Sequence, residues 1–173
     1  EEYGGGYLLG LRGLVVISSG FGEASSEGRE VERRLREKVR GAGMRMVGPN
    51  CMGVLNATDA VRLNASFSPI MPAAGRVSLL SQSGALGLAI LDYARTLNVG
   101  ISQFVSVGNK ADVSGNDLIE FWEKDPGTDV ILLYLESFGN PAKFTQIARR
   151  VARKKPILAV KSGRTESGSR AAS

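Results

Sequence analysis

Five loops hold the residue types that could do chemistry, and each follows an apolar run. Ser81-Gln82-Ser83-Gly84-Ala85-Leu86-Gly87 passes from a strand-like run into a helix-like one through small residues. Ser83 is a good N-cap, and free backbone N–H groups at such a helix start attract an anion by about 0.3 to 2 kcal/mol per charge. An ordinary capped helix packed close to a sheet would use the same residues. Glu136 ends the apolar run Val130–Leu135, where a carboxylate would sit on the binding edge of an α/β sheet. A plain solvent-facing glutamate is the competing reading. Gly48-Pro49-Asn50-Cys51 follows the run Met44–Val47, and Gly108-Asn109-Lys110-Ala111-Asp112 follows another and reads as a turn. Last, Pro156–Val160 runs into Lys161-Ser162-Gly163-Arg164 and on to Ser173, a Gly/Ser/Arg loop of the kind that carries phosphate chemistry or a connection.

Missing residue types narrow the chemistry. The chain has no histidine and one cysteine among 173 residues. That removes the serine triad, the commonest general base and Cys/His metal sites. Cys51 lacks a histidine to activate it and reads as a small buried residue rather than a nucleophile. Neither a Walker P-loop nor a full GxGxxG is present. The net charge of +5 owes much to Arg149, Arg150, Arg153, Lys154 and Lys155 on one helix. That cluster reads as a solvated helix face, not a nucleic-acid surface, because aromatic interleaving and nucleic-acid modules are lacking. No apolar run approaches the roughly 18 residues of a membrane span, and no secretory signal is visible. With a single thiol, the chain reads as soluble, globular and cytoplasmic.

The elements that must position these loops alternate along the chain. Leu11–Ser18 is a β-rich run, Glu27–Ala42 an amphipathic helix with Val31, Leu35 and Val39 on its inner face, and Met44–Val47 and Val54–Leu55 are two further strands. Asn56–Gly75, rich in Pro, Asn and Ser, lacks any periodic pattern and reads as a connection. Strict alternation follows: strand Arg76–Ser81, helix Gly84–Asn98, strand Ile101–Val107, helix Ser114–Lys124, strand Val130–Leu135, helix Pro141–Lys154, strand Pro156–Val160. Leu86, Ile90, Tyr93, Ala94 and Leu97 are expected to face the sheet from the first of these helices; Phe144, Ile147, Ala148 and Val151 are expected to do so from the last. The runs VILLYL and PILAV lack alternation, as central strands covered on both faces should. The fold class is α/β: a doubly wound parallel sheet preceded by the strand-helix-strand half of another such domain.

The stretches VVISSGFGE, GPNCMG, the NASF-SP connection, SLLSQSGALG, FVSVGNKAD, ILLYLES and PILAVKSGRTESGSRAAS together resemble nucleoside-diphosphate-forming acyl-CoA synthetases. That family includes the ADP-forming acetate-CoA ligases and, more distantly, the succinyl-CoA synthetase α subunit. Residues 1–10 match it poorly. The resemblance implies residues 1–56 as the C-terminal part of a CoA-binding domain, 57–75 as a connection and 76–173 as a flavodoxin-like succinyl-CoA-ligase domain. It implies that acid, CoA and ATP are interconverted with acyl-CoA, ADP and phosphate through an acyl phosphate and a phosphohistidine. Ser83, Gly84 and Ala85 match the helix start facing that phosphate, Glu136 matches the carboxylate orienting the imidazole, and Gly48, Pro49, Asn50 and Cys51 match the loop between the CoA thiol end and the phosphate.

The same resemblance places the histidine immediately beyond Arg170-Ala171-Ala172-Ser173, and makes the chain a piece of a larger enzyme that does not turn over alone. CoA is the implied cofactor; ATP or ADP and Mg2+ enter only through an ATP-grasp domain or β subunit. A non-catalytic, acyl-CoA-responsive module of a protein acetyltransferase is the alternative function. A doubly wound domain that binds nothing is the third.

Overall fold

The computed structural model describes residues 10–162. The expectations for residues 1–9 and for the loop from 163 to 173, with its histidine-bearing arm, lie outside them. Two sheets organise the described chain. In the first lobe, β1 (Gly13–Val15) pairs in parallel with β2 (Arg45–Val47), and α1 (Ser26–Gly41) connects them. Ser25 caps α1, its side chain accepting from the Gly28 N–H, and Lys38 and Arg40 lie in the last turn where cations suit the dipole. Val39, Met44 and Met46 are buried with Leu14, Val16 and Leu35 packed around them. Val31, expected on the inner face, is exposed instead, because two short strands are too narrow to cover the full length of the helix stripe.

The second lobe contains β3 (Gly53–Asn56), β4 (Leu63–Ser66), β5 (Ala74–Ser81), α2 (Gly84–Thr96), β6 (Ile101–Ser106), α3 (Gly115–Lys124), β7 (Val130–Leu135), α4 (Pro141–Val151) and β8 (Ile157–Lys161). Its strand order is β4-β3-β6-β5-β7-β8. The run β6-β5-β7-β8 is parallel, as the alternation of strands and helices requires. The successive residues Leu79 and Leu80 point to opposite faces. Leu79 packs with Leu91 and Ala94 of α2 and with Phe104. Leu80 packs with Ile119 and Trp122 of α3 and with Ile147 and Val151 of α4. Trp122 is fully buried and donates its indole N–H to Gln103 Oε1 at 2.9 Å. Helices therefore cover both faces.

Several expectations need correction. Residues 53–56, assigned to the first lobe, are β3 of the second sheet, antiparallel to β6, and the supposedly patternless 57–75 contains β4, antiparallel to β3. β4 has no apolar signature because it is a mostly exposed edge, and its Asn64 and Ser66 side chains bond to each other rather than form an apolar stripe. β8 is an edge, not a central strand: Leu158 and Val160 are exposed on the face that α2 leaves uncovered. On α2 the buried residues are Gly87, Leu91 and Ala94, while Leu86, Tyr93 and Leu97 are exposed. The helix meets the sheet through its smallest residue, since a Cβ on Gly87 would press on the Phe104 ring, and this turns the larger residues aside. The stripe on α4 stands as expected, with Ile147 and Val151 buried. Its cations are partly paired: Arg150 and Lys154 both reach Glu123. No described helix is long and apolar enough to cross a membrane.

One carboxylate joins the lobes. Asp112 has no side-chain exposure, yet it accepts from Arg40 Nε at 2.6 Å, from Arg45 Nε at 3.0 Å and from the Met46 backbone N–H at 2.8 Å. Burial by itself would raise this carboxyl, but Arg45, the Met46 N–H and Arg40 outweigh it and hold the group below the ordinary aspartate value. A folded-state value below the unfolded one means stability that is fully present above about pH 3.9 and is lost as pH falls through the folded value. Asp112→Asn is accordingly expected to lower stability at neutral pH by about 2 kcal/mol, and to flatten the fall in stability below about pH 4. Denaturant unfolding of both proteins from pH 7 to pH 3 measures both effects.

Candidate functional site

The parallel strands β5, β6 and β7 all end at one edge, and four of the loops singled out by the sequence, those at residues 48–51, 81–87, 108–112 and Glu136, meet there. Ser83 is the N-cap of α2, its backbone extended. Its position is held from behind, since Ser81 Oγ donates to the Ser83 carbonyl at 2.6 Å. Ser83 and Gly84 are half-buried and Ala85 is exposed, so the first turn of α2 opens outward. The first turns of α1 and α3 contain Glu27 and Asp117, but that of α2 has no acidic residue. The N–H groups of Gly84 and Ala85 thus have no intrahelical acceptor, and no carboxylate of their own turn neutralises the helix dipole.

The loop at residues 48–53 packs directly on this helix start. A Cβ at Gly84 would collide with the Met52 side chain, and the Met52 N–H donates to Ser106 Oγ at 3.0 Å, at the tip of β6. The following segment, residues 108–113, zips onto the same loop: Asn109, Ala111 and Val113 donate to the carbonyls of Pro49, Gly48 and Met46 at 3.0 to 3.1 Å. Gly108 has a φ of +53°, and a Cβ there would run into the Pro49 and Asn50 carbonyls, so only glycine allows the approach. Gly48 and Pro49 are buried, and Asn50 is exposed with its side chain 3.3 Å from Asn109 Oδ1. Cys51 is buried against the Val16 carbonyl, and burial pushes its thiol up. Its burial agrees with the reading of Cys51 as a small buried residue.

Glu136 follows the last residue of β7 and is half-buried at the strand tip. Its place is set by a residue to which the sequence reading gave no role. Gln82 Oε1 accepts from both the Glu136 and the Ser137 backbone N–H groups, each at 2.9 Å, while the Gln82 N–H donates to the Tyr134 carbonyl. One side chain, immediately before the α2 cap, therefore clamps the tip that bears Glu136. On the other side, Lys110 Nζ donates to the Ser137 carbonyl at 3.1 Å and to its hydroxyl at 2.6 Å. Burial lowers the Lys110 ammonium, and the nearby Glu136 charge partly restores it. Lys110 also takes a left-handed backbone, φ 59°, as does Asn50, φ 56°. Such non-glycine conformations are uncommon and are held here by the paired loops. The signal for Gln82 lay in its place between a strand end and an N-cap. No group of three His, Cys, Asp or Glu residues suited to a metal ion occurs among the described residues.

A backbone N–H cradle and a carboxylate on a common edge suit an anion next to a proton-bearing partner. Comparison with known proteins agrees in placing the chain. A family model for the succinyl-CoA ligase like flavodoxin domain matches residues 74–173. The chain is 46% identical over 163 residues to an ADP-forming acetate–CoA ligase I of Archaeoglobus fulgidus, covering 94% of this chain and 24% of that protein. It is 44% identical to the α subunit of an ADP-forming acetate–CoA ligase I of Pyrococcus furiosus, covering 94% of this chain and 35% of that one. Among solved structures, a Ca. Korarchaeum cryptofilum dinucleotide forming acetyl-coenzyme A synthetase 1 in complex with phosphate and ADP superposes with a TM-score of 0.87 at 46% identity. That match covers 96% of this chain and 35% of the other. The chain therefore spans between a quarter and about a third of these relatives.

The clamp has a direct readout. Gln82→Leu removes the acceptor of two backbone N–H groups and is expected to raise amide hydrogen exchange at Glu136 and Ser137 by about 10-fold or more, for roughly 1.4 kcal/mol of lost local protection. Exchange at Leu133, deeper in β7, is expected to change far less.

Proposed function

Because the chain belongs to the succinyl-CoA-ligase-like flavodoxin domain family, within the ADP-forming acyl-CoA ligases, we propose that it supplies the phosphate-facing part of such an enzyme's site. The reaction is the interconversion of acid, CoA and ATP with acyl-CoA, ADP and phosphate. The observation that carries this reading is the Gln82 clamp, which ties the open N–H cradle at Ser83 to the tip bearing Glu136.

In this reading the N–H groups of Gly84 and Ala85, with the Ser83 hydroxyl, hold phosphate or a phosphoryl group as its charge develops. Glu136 accepts a hydrogen bond from one imidazole N–H of the phosphate-carrying histidine. That contact fixes the tautomer, leaves the other nitrogen free to attack, and stabilises the charge that follows. The chain has no histidine, so the imidazole comes from elsewhere in the full-length protein or its assembly. The loop of Gly48, Pro49, Asn50 and Cys51 borders the path between the CoA thiol and the phosphate, with Asn50 as its exposed polar group. ATP or ADP and Mg2+ bind to an ATP-grasp domain or subunit. CoA and acyl-CoA are the small-molecule partners.

The test uses the full-length protein that bears this sequence. It is expected to form acyl-CoA with release of ADP and phosphate, and Glu136→Gln is expected to slow this by at least about 100-fold with the fold intact by circular dichroism. The isolated 173 residues are expected to form none. A Glu136→Gln protein that turns over at the wild-type rate, or an isolated chain that makes acyl-CoA, overturns the assignment.

A further inference from the structure

The segment from Gly108 to Asp112 faces two ways. Most of it is fixed to the first lobe and to the loop at residues 48–50. Asn109 and Ala111 donate their backbone N–H groups to the Pro49 and Gly48 carbonyls, and Asp112 takes Arg40 and Arg45. The Asn109 side-chain amide also donates to Glu32 Oε2 at 2.7 Å and to the Glu23 carboxylate. Those two carboxylates in turn accept from the Gly20, Phe21 and Gly22 N–H groups, so a first-lobe loop is tied in as well. Lys110 alone turns the other way. Its left-handed backbone, φ 59°, sends its side chain to the tip of β7, where Nζ donates to the Ser137 carbonyl and hydroxyl. Lys110 follows β6 and Ser137 follows β7, with β5 between them in the sheet, so this side chain crosses the tip of a whole strand. Among the described residues, no other side chain of the segment hydrogen-bonds to that tip. Lys110 is half-buried, and its acceptors are a neutral carbonyl and a neutral hydroxyl rather than a carboxylate. A cation that gives up water for such partners, on a backbone that lysine rarely adopts, contributes little to the fold. What it contributes is a fixed distance.

We propose that Lys110 is a positioning residue for Glu136, carrying the position of the loop at residues 48–50 and of the first lobe to the carboxylate on the β7 tip. Ser137, the next residue along, is held at both ends of its backbone: its N–H by Gln82 and its carbonyl by Lys110. Gln82 fixes the tip against the start of α2, and Lys110 fixes it against the loop bordering the CoA thiol path. Glu136 therefore takes its working place only when the two lobes are docked. The proposal rests on the role given to Glu136 above and adds the residue that sets its place from the far side.

The test has two arms. In the full-length protein bearing this sequence, Lys110→Met is expected to lower kcat for acyl-CoA formation at least about 10-fold, the loss of a charge-assisted hydrogen bond, while KM for CoA changes less than about 2-fold. Lys110→Arg, which keeps a cationic donor, is expected to restore most of the rate. In a Glu136→Gln background, Lys110→Met is expected to cost less than about 2-fold more, because it acts through the carboxylate already removed. In the 15N-labelled 173-residue chain, Asn109→Ala is expected to shift the Glu136 and Ser137 amides, and to leave them in place when Lys110 is already methionine. The proposal is overturned by wild-type turnover in Lys110→Met, by no recovery in Lys110→Arg, by additive losses with Glu136→Gln, which would put Lys110 on the substrate itself, or by amide shifts that survive Lys110→Met. A wild-type full-length protein that makes no acyl-CoA overturns the ligase reading instead, and the amide shifts then decide the positioning contact alone.

Discussion

The arrangement at the sheet edge depends on a buried carboxylate. Asp112 has no side-chain exposure, and it is tolerable there only because two arginines and a backbone N–H from the first lobe converge on it. Those partners come from the end of α1 and from β2, so the ion pair does more than neutralise a charge. It sets the register in which residues 108–113 run beside residues 46–50. Once that register is set, Gly108 can lie against the Pro49 and Asn50 carbonyls, and Met52 can lie over Gly84. Breaking such a pair from one side leaves the other side desolvated, which makes the joint selective for one arrangement of the lobes.

From that joint, polarity follows geometry. The parallel order β6-β5-β7 brings three strand tips to one edge, where an α/β sheet leaves its binding crevice. The first turns of α1 and α3 carry a carboxylate and those of α2 and α4 do not; that of α2 directly follows the clamp residue Gln82. Gln82 does with a single amide oxygen what a longer loop would do with several contacts. It makes the distance between an N–H cradle and a carboxylate a property of β5 and β7, two adjacent inner strands of the sheet.

What could be read from the sequence was whatever repeats or punctuates. The βαβ alternation after residue 76 survives in the structure because each helix buries one stripe against a sheet, and the caps Ser83, Ser114 and Asn140 mark the helix starts. Ser83 and Glu136 could be placed on the binding edge for the same reason. Other features left no local trace. β4 is short and exposed, so its membership in the sheet arises from pairing with β3 and not from an apolar pattern. The inner face of α2 departs from its apolar period because Gly87 makes its closest contact, and a glycine adds nothing to a hydrophobic period. Asp112 looked like a turn residue because its partners are 66 or more positions away. Gln82 matters through two backbone N–H groups that only the folded chain brings to it.

The central claim is that the open start of α2 is an anion cradle coupled to the Glu136 tip. Titration of the 15N-labelled chain with inorganic phosphate addresses it directly. The account predicts saturable shifts at the Gly84 and Ala85 amides, accompanied by shifts at Glu136 and Ser137 through Gln82, with little change at Glu27 and Gly28 in the first turn of α1, which has its own carboxylate. Equal responses at the two helix starts, or none at Gly84 and Ala85, would contradict it.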